Sequence, residues 1–164
     1  MTYTQSMNCA QQYAEAEGFD YWLHCHSDAV FSPEDVVAVQ DIARGGVLGE
    51  QGLVKWHMIA TCYDVLCAYN TAAIKELGGW NQMFLNYFSD NDLHRRAKLA
   101  GYEIVQAPFH NVVHGVDGDG SQTINSDPHL RRQNEILFPA YAHLYETIWG
   151  GGPGEEKFNT PWNQ

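Results

Sequence analysis

Basic side chains are scarce: 9 Lys and Arg stand against 20 Asp and Glu, a formal charge of -11, and the few cations gather into no stripe. A phosphate backbone is held by such a stripe, so a nucleic acid partner is not expected. No apolar run approaches the ~18 residues needed to cross a bilayer, and no basic segment leads into an apolar one at the start, so neither a membrane span nor a leader is expected. A cytoplasmic protein is the corresponding expectation. The four cysteines, Cys9, Cys25, Cys62 and Cys67, show no C-x-x-C or other metal-ligand spacing. Three have apolar neighbours, which predicts reduced, buried thiols. What the chain does have is apolar mass: 45 % of its 164 residues are hydrophobic and 13 % aromatic, enough to bury one core in a single domain. An acidic protein that handles a phosphorylated ligand needs a divalent cation between like charges, so clusters of carboxylates and imidazoles are the residues to look for.

Small and amphipathic residues from Ser6 to Ala16, stopped by Gly18, predict a helix with a glycine C-cap. The short aromatic run Phe19 to Cys25 has no helical period and empties into His26-Ser27-Asp28, as a strand leading into a site loop does. Ser32-Pro33-Glu34-Asp35 opens a second helix, with Ser32 as N-cap, proline at the first helical position and Asp35 closing a capping box. Glycines at 45, 46, 49 and 52 punctuate short strands at Val47-Leu48 and Leu53 to Trp56. Met58 to Tyr63 and Val65 to Tyr69 predict two more, and Asn70 caps a short helix, Thr71 to Leu77. Ser89 to Asp92 repeats the Ser-x-x-acid capping pattern and opens a helix to Ala100. Tyr102 to Gln106 and Asn111 to His114 read as strands, Gly115 to Ser126 as a Gly-rich lid loop, and Asp127-Pro128 begins the longest helix, with Leu130, Leu137, Tyr141, Leu144 and Ile148 on one stripe. Strands alternating with helices predict an α/β fold with a mixed sheet flanked by helices.

His26 and Asp28, two apart on a loop after a strand, can serve a hard cation or a phosphate, and an equally ordinary reading is a hydrogen-bonded loop. Asp90 and Asp92 fall in a helix first turn, where the macrodipole alone favours acids. The aromatic stretch Trp80 to Phe88 before them can wall an acceptor site and set Asp90 against a hydroxyl as general base.

Taken together, Gly78-Gly79-Trp80, Tyr87-Phe88-Ser89-Asp90-Asn91-Asp92-Leu93, Arg95-Arg96, Ala100-Gly101-Tyr102, Pro108 and His114 resemble the C-terminal portion of family-two glycosyltransferases, which read GG-F-D, E-D-x-D-L, R, A-G-Y and a late His. Tyr21 to Cys25 with Ser27-Asp28-Ala29 resembles the approach to that family's D-x-D motif, so the likeness covers roughly residues 5 to 115. It implies a truncated GT-A-like, Rossmann-like fold. Residues 1–44 would carry the metal motif, 45–126 the acceptor and catalytic residues, and 127–164 a C-terminal helix and tail. The implied activity is metal-dependent transfer of a sugar from a nucleotide-sugar donor to a carbohydrate or other hydroxyl acceptor, with inversion.

Position by position, the resemblance makes Asp28 a ligand of Mn²⁺ or Mg²⁺, with His26 in place of the first acid and His114 a further ligand. Asp90 becomes the catalytic base, and Trp80, Ser89, Asn91 and Asp92 become substrate-binding residues. Ser89 stands where the family has Glu. About one helix precedes the Asp28 loop, so the nucleoside pocket is expected to lie outside this chain, in a longer product or in a second copy completing the sheet. A non-catalytic module of the same fold and a metal-dependent hydrolase built on His26, Asp28 and His114 are the competing readings.

Overall fold

A computed structural model describes residues 1–46, 48–49, 52–108, 111–115 and 126–164. Helix α1 (Tyr3–Glu17) starts three residues before the expected point, because Thr2 caps it: its hydroxyl accepts from the Gln5 amide while the Gln5 side chain accepts from the Thr2 amide. Gly18, with φ 71°, closes it. Strand β1 (Tyr21–Cys25) follows, then a two-residue strand β2 (Ala29–Val30) that the sequence did not announce. Helix α2 (Pro33–Gly45) begins at the expected Ser32/Asp35 capping box. A small antiparallel pair, β3 (Leu48–Gly49) and β4 (Gly52–Leu53), precedes β5 (Trp56–Thr61) and β6 (Tyr63–Asn70), and Asn70 caps α3 (Thr71–Glu76) as expected. Helix α4 (Ser89–Leu99), strands β7 (Glu103–Gln106) and β8 (Val113–His114), and helix α5 (Pro128–Trp149) complete the order. The expected lid loop falls largely outside the described residues.

The main sheet runs β1-β6-β5-β7; β1 and β5 are antiparallel to β6, and β7 is parallel to β5. This is the expected α/β architecture with a mixed sheet between helices. Every residue of β5 is buried, as a strand with neighbours on both sides and helices on both faces requires. On one face Met58, Ala60, Cys67 and Tyr69 pack with Met7 of α1, Ile74 of α3, Leu93 of α4 and Trp80. On the other, Ile59 and Ala68 pack with Val39 of α2 and Ala107. Each such fully buried large side chain contributes roughly 1.5–3 kcal/mol relative to exposure. Helix α5 docks by Tyr141, Tyr145, Ile148 and Trp149 against Phe84. It ends at Gly150, with φ 77°, where a Cβ would lie 2.8 Å from the Phe158 ring, so only glycine fits. Among the described residues, no helix is long and apolar enough to cross a membrane.

Two local expectations are corrected. Ser89 is not a cap: α4 starts at the left-handed Phe88 (φ 66°) with no side-chain cap, and the Ser89 hydroxyl instead donates to Asn86 O over 3.1 Å. Of the cysteines only Cys67 is buried, while Cys9 and Cys25 are exposed and Cys62 is half-buried.

Candidate metal centre and active-site cleft

The ladder between β1 and β6 ends with Cys25 opposite Leu66, and the His26 amide adds one bond to Val65 O over 3.0 Å. This carries His26 to the start of β6, beside Asp64. The second ladder, Ala29 opposite His114 and Val30 opposite Val113, folds the far strand β8 back onto the loop, and the Gly115 amide donates to Asp28 O over 2.9 Å. Residues 88 positions apart thereby meet: His26 Nδ1 lies 3.1 Å from His114 Nε2. His114 Nε2 also lies 3.3 Å from Asp28 Oδ1, and His26 Nε2 lies 3.4 Å from Asp64 Oδ1.

The ligand-capable atoms of His26, Asp28 and His114 all fall within 4.8 Å of one another. Two donors held about 2.2 Å from one cation at right angles stand about 3.1 Å apart, so these separations match a shared first-row divalent ion. Two imidazoles and a carboxylate are also a chemically ordinary donor set for such an ion. All three side chains are half-buried, which leaves the cluster reachable from solvent.

Electrostatics around the cluster favour charge separation. The pairing with Asp64 raises the His26 pKa against the opposing effect of burial, with the charges of Asp28 and Asp90 adding to it. Burial works against the Asp64 charge, but His26, and then His24, hold its carboxyl below the ordinary range. His24 is pushed down to about 4 by burial and by its neighbour His26.

Asp90 sits in the first turn of α4. Burial raises its pKa, His94 and the Asn91 amide pull the other way, and the charge of Asp64 adds to the rise. The Tyr63 hydroxyl donates to Asp90 Oδ2 over 3.3 Å. Tyr63 (φ 54°) and Phe88 (φ 66°) are both non-glycine residues in left-handed backbone, one reaching Asp90 from the β5–β6 turn and the other preceding its helix. Such conformations persist where the surrounding fold over-determines them, and they gather at functional sites.

These groups share one cavity of about 930 Å³. Its polar end carries His24, His26, Asp28, Asp64, Asp90, Asn91 and His114, and its apolar wall is made by Tyr87, Phe88, Leu130, Leu137 and Phe138, with Gln133 and Asn134 among them. Phe138 packs on both Tyr87 and Phe88, with ring centroids 5.3 and 5.2 Å apart.

Of the residues expected from the sequence, His26, Asp28, His114, Asp90 and Asn91 line this cavity. Three do not. Trp80 is core, 1 % exposed and packed on Tyr69 and Trp22. Ser89 is fully buried, and Asp92, 1 % exposed, is consumed by bonds from Trp149 and Arg96. All three side chains are packed in the interior and do not line the cavity. Sequence reasoning missed Asp64, Tyr63 and His24; the available signal was a polar pair, Tyr63-Asp64, interrupting two otherwise apolar strands, the same cue that pointed to Asp28. Compared with family models, curated proteins and solved structures, the chain matched none.

Proposed function

We propose that the chain is a metal-dependent, GT-A-like glycosyltransferase that moves a sugar from a nucleotide-sugar to an acceptor hydroxyl with inversion. One observation carries this reading: Asp28, His114 and Asp90, spread over three segments, converge on one cavity. His26, Asp28 and His114 would hold the cation, and two imidazole donors favour Mn²⁺ over Mg²⁺. A divalent ion bound there supplies charge neutralisation for a leaving diphosphate.

The chain's own residues do the rest. Asp90, its proton affinity raised by burial, accepts the proton of the acceptor hydroxyl, which then displaces the diphosphate from the sugar in one step. The wall of Tyr87, Phe88 and Phe138 next to Asp90 gives the acceptor an aromatic surface, and Gln133 and Asn134 offer amides to its hydroxyls. Strand β1 is an edge of the described sheet, the place where a second chain supplying a nucleoside pocket would add.

The experiment is calorimetric titration with Mn²⁺, then with a panel of nucleotide-sugars in its presence. Metal-dependent nucleotide-sugar binding, together with sugar transfer lost in Asp90→Asn, is the expected result. No metal-dependent binding to the chain or to its complex with a completing partner removes the reading.

A further inference from the structure

Asp64 has no assigned role, yet it is a buried carboxylate, 7 % exposed, on the cavity wall. Its ion-pair contact among the described residues is His26, with Oδ1 3.4 Å from Nε2. A buried carboxylate faced by an imidazole rather than by Lys or Arg is a costly arrangement for stability alone. It also sits outside the set of side chains whose ligand atoms lie within 4.8 Å of one another.

The two nitrogens of His26 face different partners. Nε2 is turned to Asp64, and Nδ1 is turned to His114 and so to the metal cluster. A carboxylate can only accept, so it selects the imidazole form that carries its hydrogen on Nε2 and leaves the Nδ1 lone pair free. Ligating histidines are commonly fixed in this way by a carboxylate behind them.

Resting on the metal reading above, we infer that Asp64 is a positioning residue that fixes the tautomer and orientation of His26, so that Nδ1 is presented to a divalent cation shared with Asp28 and His114. The strained turn that precedes it serves this placement. Tyr63, at φ 54°, lets the chain leave β5 and enter β6 with Asp64 against the end of β1.

Two measurements test this. In the metal-free protein at mildly alkaline pH, ¹⁵N-histidine NMR reads the tautomer of His26 directly; Nε2–H is expected, and Nδ1–H overturns the inference whether or not any variant folds. Mn²⁺ affinity of the full chain, followed by water-proton relaxation, is then compared for wild type, Asp64→Asn, His26→Ala and the double variant. Asp64→Asn is expected to weaken Mn²⁺ about 10–100-fold, with no further loss when added to His26→Ala. Unchanged affinity in Asp64→Asn, or an equal additional loss in the His26→Ala background, shows that Asp64 does not act through His26 and overturns the proposal. A wild-type protein that binds no Mn²⁺ overturns the functional reading itself, a result separable from both.

Discussion

Trp149 Nε1 donates to Asp92 Oδ1 over 3.0 Å while Arg96 Nε donates to the other carboxylate oxygen over 2.9 Å, so one buried acid ties the last turn of α5 to the first turn of α4. Arg96 in turn donates to Gly79 O over 2.8 Å and to Leu77 O, which closes the end of α3. Asp92→Ala leaves an indole and part of a guanidinium buried without their acceptor. Its cost is expected to be about 3 kcal/mol, read from urea unfolding at neutral pH. A loss under about 1 kcal/mol, within the range of an exposed ion pair, would show that this tie is dispensable.

Asp90 is predicted to behave differently from its neighbour two residues on. It lies in the cavity and is not among the grouped metal-ligand candidates, so Asp90→Asn should abolish sugar transfer while leaving Mn²⁺ affinity within about threefold, less than ~1 kcal/mol. Parallel loss of metal binding would instead make Asp90 part of the cation site.

For the cluster itself, Asp28→Asn removes the one formal negative charge among the three grouped candidates, and His114→Ala removes the donor shared between His26 and Asp28. Each is expected to lower Mn²⁺ affinity at least tenfold, and chelation of the wild type should abolish nucleotide-sugar binding. Chelator-insensitive binding would contradict the prediction.

Acid should weaken the fold through its buried imidazoles. His57 Nδ1 lies 3.0 Å from Glu103 O, an acceptor only, so Nδ1 carries the hydrogen and Nε2 accepts from His94 Nδ1 over 2.9 Å. Burial and His94 push His57 down to about 3, and burial lowers His94. The unfolded chain, with imidazoles near 6.5, therefore takes up protons that the folded state refuses. The sign follows: this contribution is neutral above that value and turns against folding as pH falls from about 6.5 towards 3. His26, raised by Asp64, acts in the opposite direction, but His24 joins His57 and His94. The urea midpoint is expected to drop between pH 7 and pH 5, and a midpoint that rises over this interval contradicts the assignment.

Tyr63→Phe removes the hydroxyl that donates to Asp90. Hydrogen bonds to a carboxylate favour its charged form, so the acid limb of the rate profile should move to higher pH. Stability should change by less than about 0.5 kcal/mol because Tyr63 is largely exposed. An acid limb that stays in place would show that this bond does not tune Asp90.

Local chemistry was readable where it is self-contained. The Ser32/Asp35 capping box, the Asn70 cap and the Gly18 stop each specify a boundary with nearby atoms, and all three appear. The two-residue pairing of Ala29 with His114 has no period to detect and depends on strands far apart in the chain, so nothing local announced it. The Ser89 pattern misled because Ser-x-x-acid suits either an N-cap or a first turn, and the left-handed Phe88 shifts the helix start by one residue. Cys25 misled because strand alternation turns it outward among apolar neighbours. Asp28, His114 and Asp90 were expected from motif order and line one cavity, whereas the place of Asp64 beside them depends on β1–β6 register, which the sequence does not display.

The cavity is lined by Tyr3 of α1 and by Pro153 beyond α5, and the rest of its wall comes from the end of β1 and its loop, the start of β6, the start of α4, β8 and α5. Bringing such remote positions together costs chain entropy, which the packing of Tyr141, Tyr145, Ile148 and Trp149 against Phe84 helps to offset. Removing α5 would strip the cavity of Leu130, Leu137 and Phe138 and open its acids and imidazoles to water.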